Sequence, residues 1–385
     1  MMRLLFISNL FPDTREPYRG LDNATVLHHL AAQWEIRALA LRPTLPFRSS
    51  SWTARKEDKR FQPHFLAVPY LPKIGSRWNH RLMARALRGP LRELRERFPF
   101  DAVLSSWIFP DSCAVAQLAL ELGFHFVSIA QGSDVHQYLR HPVRRKIITQ
   151  ALPAASTVIT RSAELARLLG EAGLDGERIH TIYNGVDHAI FRPAARAAAR
   201  QALGLQADKQ IILFVGNFYP IKNPLLVIEA HSQVCDDNTL SHTKLIMIGD
   251  GPLLGSARAL GDRLHFAANV VLAGRKTAAE IALYMQAADV LCLPSVNEGV
   301  PNVILEAFAC GLPVVASRVG GIPEVHPGET CGRLVEPRLA PVAAALRAVL
   351  REPPPSAPIA EHGAQFTWED AAAQYHALLS VAAGA

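Results

Sequence analysis

The 385-residue chain has no apolar run near the ~18 residues that a membrane-spanning helix needs. Its start, Met1-Met-Arg-Leu-Leu-Phe-Ile-Ser8, is too short for a signal-peptide core and lacks a small-residue cleavage site, so a first strand is expected there. There is no Cys-x-x-Cys. Five cysteines stand apart at Cys113, Cys235, Cys292, Cys310 and Cys331, mostly in apolar segments, as expected for reduced thiols packed in a cytoplasmic protein. The fifteen histidines show no His-x-x-x-His or other ligand spacing, and no metal site is assigned. No Gly-x-Gly-x-x-Gly follows the first strand, where Asn9-Leu-Phe-Pro-Asp13 stands instead, so the nicotinamide fingerprint is missing. A Gly-x-x-x-x-Gly-Lys-Ser/Thr phosphate loop is missing too.

What is present is the composition of a folded protein, 49% hydrophobic and 19% charged, in a length that suits two domains of about 190 residues each. The net charge of +6 is uneven: residues 1–192 carry 26 Lys and Arg against 17 Asp and Glu, and the remainder 14 against 17. A basic half suits phosphates, nucleic acid or an anionic membrane surface. High charge without a recognition motif makes nucleic acid the weakest of these.

Strand-like and helix-like segments alternate in both halves. Strands are expected at Arg3–Ser8, Glu35–Leu41, Ala102–Ser105, His125–Ala130, Thr157–Thr160 and Ile179–Tyr183, then at Ile211–Val215, Lys244–Ile248, Val270–Leu272, Val290–Leu293 and Val314–Ala316. This grammar predicts an α/β chain with two Rossmann-like domains facing a central cleft. The expected division is 1–192, 193–364 and a terminal helix over 365–385 that packs back on the first domain.

Two carboxylates stand out. Glu298 falls in a loop after the apolar strand ending at Leu293, and Glu306 lies in the helix that follows, closed by Gly311 and Pro313. In open α/β sheets that end of the strands is where ligands bind. Gly216-Asn-Phe-Tyr-Pro-Ile-Lys-Asn223 likewise leaves a strand and opens a helix at Pro224, combining close backbone approach, free N–H groups and the charge of Lys222 in a pyrophosphate-type site. Gly249-Asp-Gly-Pro252, Arg275 and Val319-Gly-Gly-Ile-Pro-Glu324 occupy similar strand ends. In the first half Tyr18-Arg-Gly20 and Gln131-Gly-Ser-Asp134 sit on the crevice side, where Asp134 suits a sugar or acceptor hydroxyl or, equally, a turn.

Together these segments resemble the retaining glycosyltransferases related to glycogen synthase and sucrose synthase, the group 1 family of GT-B fold. Glu298-Gly-Val-Pro-Asn through Glu306-Ala-Phe-Ala-Cys-Gly-Leu-Pro carries most of the likeness. The start, Phe6-Ile-Ser-Asn-Leu-Phe-Pro12, is similar to bacterial teichuronic acid and surface-polysaccharide transferases. The resemblance implies that Glu306 holds ribose hydroxyls and that Glu298 contacts the donor sugar. Lys222 would neutralise the diphosphate, helped by N–H groups around Gly299, Asn302 and Val303. Gly216, Asn217, Gly251 and Arg275 would line the nucleotide pocket, and Gly20 and Asp134 the acceptor side. It implies a UDP- or GDP-linked donor, a glycan or lipid-linked acceptor, and no metal or other cofactor. The family usually has arginine where Asn217 stands and often histidine where Gln131 stands, so the diphosphate clamp departs from the pattern.

Arg77, Arg81, Arg85, Arg88, Arg92 and Arg95 recur at spacings of three and four, a helical stripe interrupted by Gly89-Pro90. One reading is peripheral docking on an anionic membrane, and the other a solvated face. Two rival functions share the architecture: a sugar-nucleotide 2-epimerase, which needs no acceptor, and a non-catalytic nucleotide-sugar-binding partner.

Overall fold

The computed structural model of the protein describes residues 1–45, 51–72, 74–264 and 269–384. It consists of two compact units, Met1–Asn184 with Trp368–Ala385, and Gly185–Thr367. The chain thus passes between units at 184/185 and 367/368, against the breaks at 192/193 and 364/365 expected from the sequence.

The first unit is built on β1 (Met2–Ser8), β2 (Trp34–Thr44), β3 (His64–Pro69), β4 (Ala102–Ser106), β5 (Phe126–Ala130), β6 (Thr157–Thr160) and β7 (Ile179–Thr181). These pair in the order β3-β2-β1-β4-β5-β6-β7, every neighbour parallel. Strands such as β5 are buried along their whole length because helices cover both faces, which is why they read as unbroken apolar runs. One face packs Met83, Leu87 and Leu91 from the helix Asn79–Arg97 and Val115 and Leu118 from Cys113–Leu122. The other packs the helix Leu21–Leu30 together with Trp368, Tyr375 and Leu379 of the terminal helix Trp368–Ala383. The terminal helix is therefore part of the first unit's core.

The second unit carries β8 (Ile211–Val215), β9 (Lys244–Ile248), β10 (Val270–Gly274), β11 (Val290–Leu293), β12 (Val314–Ser317) and β13 (Gly332–Val335), again all parallel, in the order β10-β9-β8-β11-β12-β13. Both sheets wind outward one way and then the other. That places a switch point between β1 and β4 in the first unit and between β8 and β11 in the second, where loops from adjacent strands diverge and leave a crevice. Two strands escaped the sequence reading, β3 and β13. Both are edge strands: β3 is the apolar but only partly buried run His64-Phe-Leu-Ala-Val-Pro69, and β13 is the short segment Gly332-Arg-Leu-Val335. All five cysteines are unpaired and buried.

Candidate functional site

In the second unit the loops after β8 and β11 meet across the switch point. The Val296 N–H donates to the Ile221 carbonyl at 2.8 Å, tying the two loops together. This brings Lys222 Nζ to 2.5 Å from Glu298 Oε1. Ser295, fully buried, donates its hydroxyl to the same Oε1 at 2.7 Å, and Ser317 at the end of β12 donates to the Ser295 carbonyl at 2.5 Å. Both side-chain donors converge on Oε1, and Oε2 keeps its acceptor capacity. The pair is mostly buried, so the charges meet in a low dielectric and each depends on the other.

Glycines let the surrounding loops close on this pair. A Cβ on Gly320, which has φ +53°, would fall 1.8 Å from the Glu298 carbonyl oxygen. The Gly321 N–H reaches the Gly299 carbonyl at 3.1 Å, so the Gly320-Gly321 loop braces the carboxylate's own backbone. At the next strand end Gly249 packs on the Gly216 carbonyl, where a Cβ would lie at 1.9 Å, and a Cβ on Gly251 would lie 2.9 Å from the Phe218 nitrogen. Only glycine fits these approaches.

The helix Asn302–Ala309 starts directly after Pro301, with Asn302 and Val303 half-buried in its first turn. Glu306 is half-buried one turn further on, and its charge adds to burial in pushing the Cys310 thiol up to about 12. Asn217 is exposed at the mouth of the β8 loop. Arg275 is exposed and pairs with Asp250 at 3.4 Å, a solvated contact of little energetic weight. Lys222, Glu298, Gly216, Gly251, Gly299, Asn302, Val303 and Glu306 thus all lie at or beyond the carboxyl ends of β8, β9 and β11.

In the first unit the loops after β1, β4 and β5 also gather at the switch point. Gly20 takes φ +63° at the start of the helix Leu21–Leu30, and a Cβ there would lie 2.2 Å from the Leu10 carbonyl oxygen. Asn23 donates to that same carbonyl at 2.8 Å. Gln131 donates to Asn23 Oδ1 and Ser106 Oγ, holding the β5 loop against this helix. Asp134 is not available to an acceptor hydroxyl: it is fully buried and accepts the backbone N–H groups of Ile108, Gln131 and Gly132 at 2.8–2.9 Å. Of the two roles open to it, the turn is the one the structure shows. Burial pushes its pKa up to about 6, against those hydrogen bonds. Asp111, also fully buried, accepts both the backbone and side-chain N–H of Asn9, and burial raises it to about 7. That pair ties the β1 loop to the β4 loop. Asp111 lies in the turn Ile108–Ser112, just before the helix Cys113–Leu122.

Sequence reasoning missed Ser295, Ser317 and Asp111. Ser295 sits three residues before Glu298, a spacing that becomes meaningful only once the loop is known to fold back.

Two family models match the chain: Glycosyltransferase Family 4 over residues 24–190 and Glycosyl transferases group 1 over residues 209–352. The chain belongs to the group 1 glycosyltransferases. Among curated relatives, D-inositol 3-phosphate glycosyltransferase of Mycolicibacterium paratuberculosis is 32% identical over 253 residues, covering 63% of this chain and 55% of the relative. The Segniliparus rotundus protein of the same name is 32% identical over 268 residues, covering 66% and 58%. The chain therefore spans little more than half the length of the curated relatives it matches. Sucrose-phosphate synthase from Thermosynechococcus elongatus superposes with a TM-score of 0.78 at 22% identity, over 98% of both chains. Anabaena HepE, solved with UDP, also gives 0.78, at 20% identity over 99% of this chain and 100% of its own. These likenesses show the GT-B fold for the chain as a whole.

Proposed function

We propose that the protein is a retaining glycosyltransferase that moves a hexose from a nucleotide diphosphate sugar to a glycan or lipid-linked acceptor, in polysaccharide or cell-surface glycan assembly. The observation that carries this reading is the asymmetric engagement of Glu298. Its Oε1 is held by Lys222 and Ser295, and Oε2 is left to accept a sugar hydroxyl. Lys222 sits where a diphosphate would meet the β8 loop, so donor binding draws the ammonium from Glu298 to phosphate. The carboxylate, still oriented by Ser295, then favours the positive charge that develops on the reacting sugar. Glu306 accepts the ribose hydroxyls, and N–H groups at the start of the helix Asn302–Ala309 face the leaving phosphate. Charge neutralisation by Lys222 and backbone dipoles is the reason a metal is not required by this scheme. HepE was solved with UDP and with UDP-glucose, which supports a UDP-linked donor here.

The membrane reading narrows to part of the arginine stripe. Arg88 and Arg92 are ion-paired with Glu121, and Arg95 donates to the Leu122 and Gly123 carbonyls, so these three serve packing of the helix Asn79–Arg97 on its neighbour. Arg77, Arg81 and Arg85 are exposed, beside Ile74 and Trp78 at 72% and 50% exposure. A cationic face with protruding apolar side chains suits shallow docking on anionic lipid. Among the described residues no helix is long and apolar enough to cross a membrane.

The test of the transfer reading is product analysis with UDP- and GDP-hexoses and a lipid-phosphate or oligosaccharide acceptor. The expected product keeps the donor's anomeric configuration, and Glu298→Gln lowers kcat at least a hundredfold. Conversion of the nucleotide sugar to an epimer without acceptor would replace this reading with the isomerase.

A further inference from the structure

At the switch point of the first unit, β4 ends at Ser106 and the chain turns through Trp107 at φ 77°, ψ 107°. Positive φ is uncommon for a bulky residue and marks a strained backbone. It is held by the Trp107 N–H on the Ile129 carbonyl at 3.0 Å and by the Ser112 N–H on the Trp107 carbonyl at 3.1 Å. The turn leaves the indole half-buried, edge-on to the Tyr138 ring with centroids 6.0 Å apart, while Ile108, Phe109 and Pro110 beside it are buried.

Arg144 lies over this aromatic group. Its guanidinium carbon is 4.3 Å from the Tyr138 centroid and 5.4 Å from that of Phe109, and Nε donates to Ser76 Oγ at 3.2 Å. Among the described residues no carboxylate comes within ion-pair distance of it. The contrast with Arg42, Arg55, Arg88 and Arg92, each paired with an acid in this unit, is plain. The rings and the serine hold the guanidinium in place, and among the described residues its outer N–H groups have no partner. An oriented, half-buried fork without a counter-ion matches a phosphate or carboxylate brought from outside. His80, 9% exposed and 5.9 Å from Phe109, leaves its Nδ1 without a partner in the same group. Burial and Arg81 hold it neutral, with a pKa of about 4, so it adds no charge to compete for the anion.

We propose that Trp107, Tyr138 and Arg144 form an acceptor subsite for a sugar or polyol bearing a phosphate or carboxylate, the rings packing on its carbon skeleton and Arg144 reading the anion. This rests on the transfer reading above and adds the acceptor's chemical class to it. Ser76 and Phe109 are positioning residues that hold the guanidinium flat.

The test is ligand-observed NMR titration of the full chain with glucose, glucose 6-phosphate, glucuronate and phosphatidylglycerol vesicles. The anionic sugars are expected to bind at least tenfold more tightly than glucose, a comparison that needs no variant. Arg144→Gln is expected to erase that preference, and Arg144→Lys to keep part of it. Equal binding of glucose and the anionic sugars, or a preference that survives Arg144→Gln, overturns the subsite. Binding of the vesicles alone, with no binding of the soluble anions, overturns it in favour of a lipid phosphate. Thermal shift by UDP-sugars separates the two levels of inference. Anionic-sugar binding without any nucleotide-sugar binding removes the transfer reading and leaves the subsite, and the reverse removes only the subsite.

Discussion

Lys222 and Ser295 share one oxygen of Glu298, and that division of labour sets what each residue should do when changed. Removing the Ser295 hydroxyl deletes a hydrogen bond to a charged acceptor, worth about 1.5–3 kcal/mol. Ser295→Ala is therefore expected to lower kcat about tenfold or more while nucleotide-sugar affinity changes little, as read from separate kcat and KM values. An equal rise in KM would make the serine a binding residue instead. Lys222→Ala leaves a mostly buried carboxylate without its cation and is expected to weaken donor binding as well as slow transfer. The glutamates were legible because a buried strand, a Gly-Pro loop and a small-residue helix fix their placement along the chain. Ser295 was not, because its importance rests on a side-chain direction that no spacing encodes. Asp134 shows the opposite error, in which a polar residue at a crevice-side loop was spent entirely on backbone N–H groups of its own loop and of the β4 loop.

Loops, rather than the strands that carry them, decide whether these side chains meet. Gly320 lies against the backbone of Glu298, so Gly320→Ala must push the two loops apart in a conformation alanine resists. Its expected signature is loss of donor binding with the global fold retained, checked by thermal shift with UDP alongside far-UV circular dichroism. In the first unit the β1 and β4 loops are tied by Asp111 on Asn9. The folded-state pKa of Asp111 is raised from 3.8 to about 7, so the folded state holds more protons than the unfolded state across that interval. Stability from this group is then full below about pH 4, declines as pH rises to about 7, and is flat above. Asp111→Asn is expected to flatten the decline in denaturant midpoint over that window; an unchanged slope would assign the pH dependence to other groups. Most strands and helices were legible from apolar runs and their punctuation. The edge strands β3 and β13 were not: β3 is a six-residue run closed by Pro69, and β13 is only four residues long and opens on a glycine and an arginine.

At the scale of the molecule the chain uses one topology twice and lends its last helix to the first unit. The parallel order was legible from alternation alone, whereas the ownership of the terminal helix follows from contacts far apart in sequence. Tyr375 is fully buried there, with Trp368 and Leu379, in the core beside β1, β4 and β5. Tyr375→Ala is expected to cost about 3–5 kcal/mol, as large aromatic truncations do. In denaturation followed by hydrogen exchange the loss should fall on the first unit, with β8–β13 protected as before; uniform loss across both would contradict the division. The basic excess of residues 1–192 includes Arg144 and the exposed part of the stripe, both proposed above as anion-binding. The account stands most directly on nucleotide-sugar binding by the second unit's switch point. Thermal shift of the unaltered protein and of Glu306→Ala against UDP-, GDP- and ADP-sugars measures it. One donor at 100 times its dissociation constant should stabilise the unaltered protein by about 2.7 kcal/mol, and Glu306→Ala should lose most of that gain. No shift with any nucleotide sugar, or the same shift in both proteins, would contradict the account.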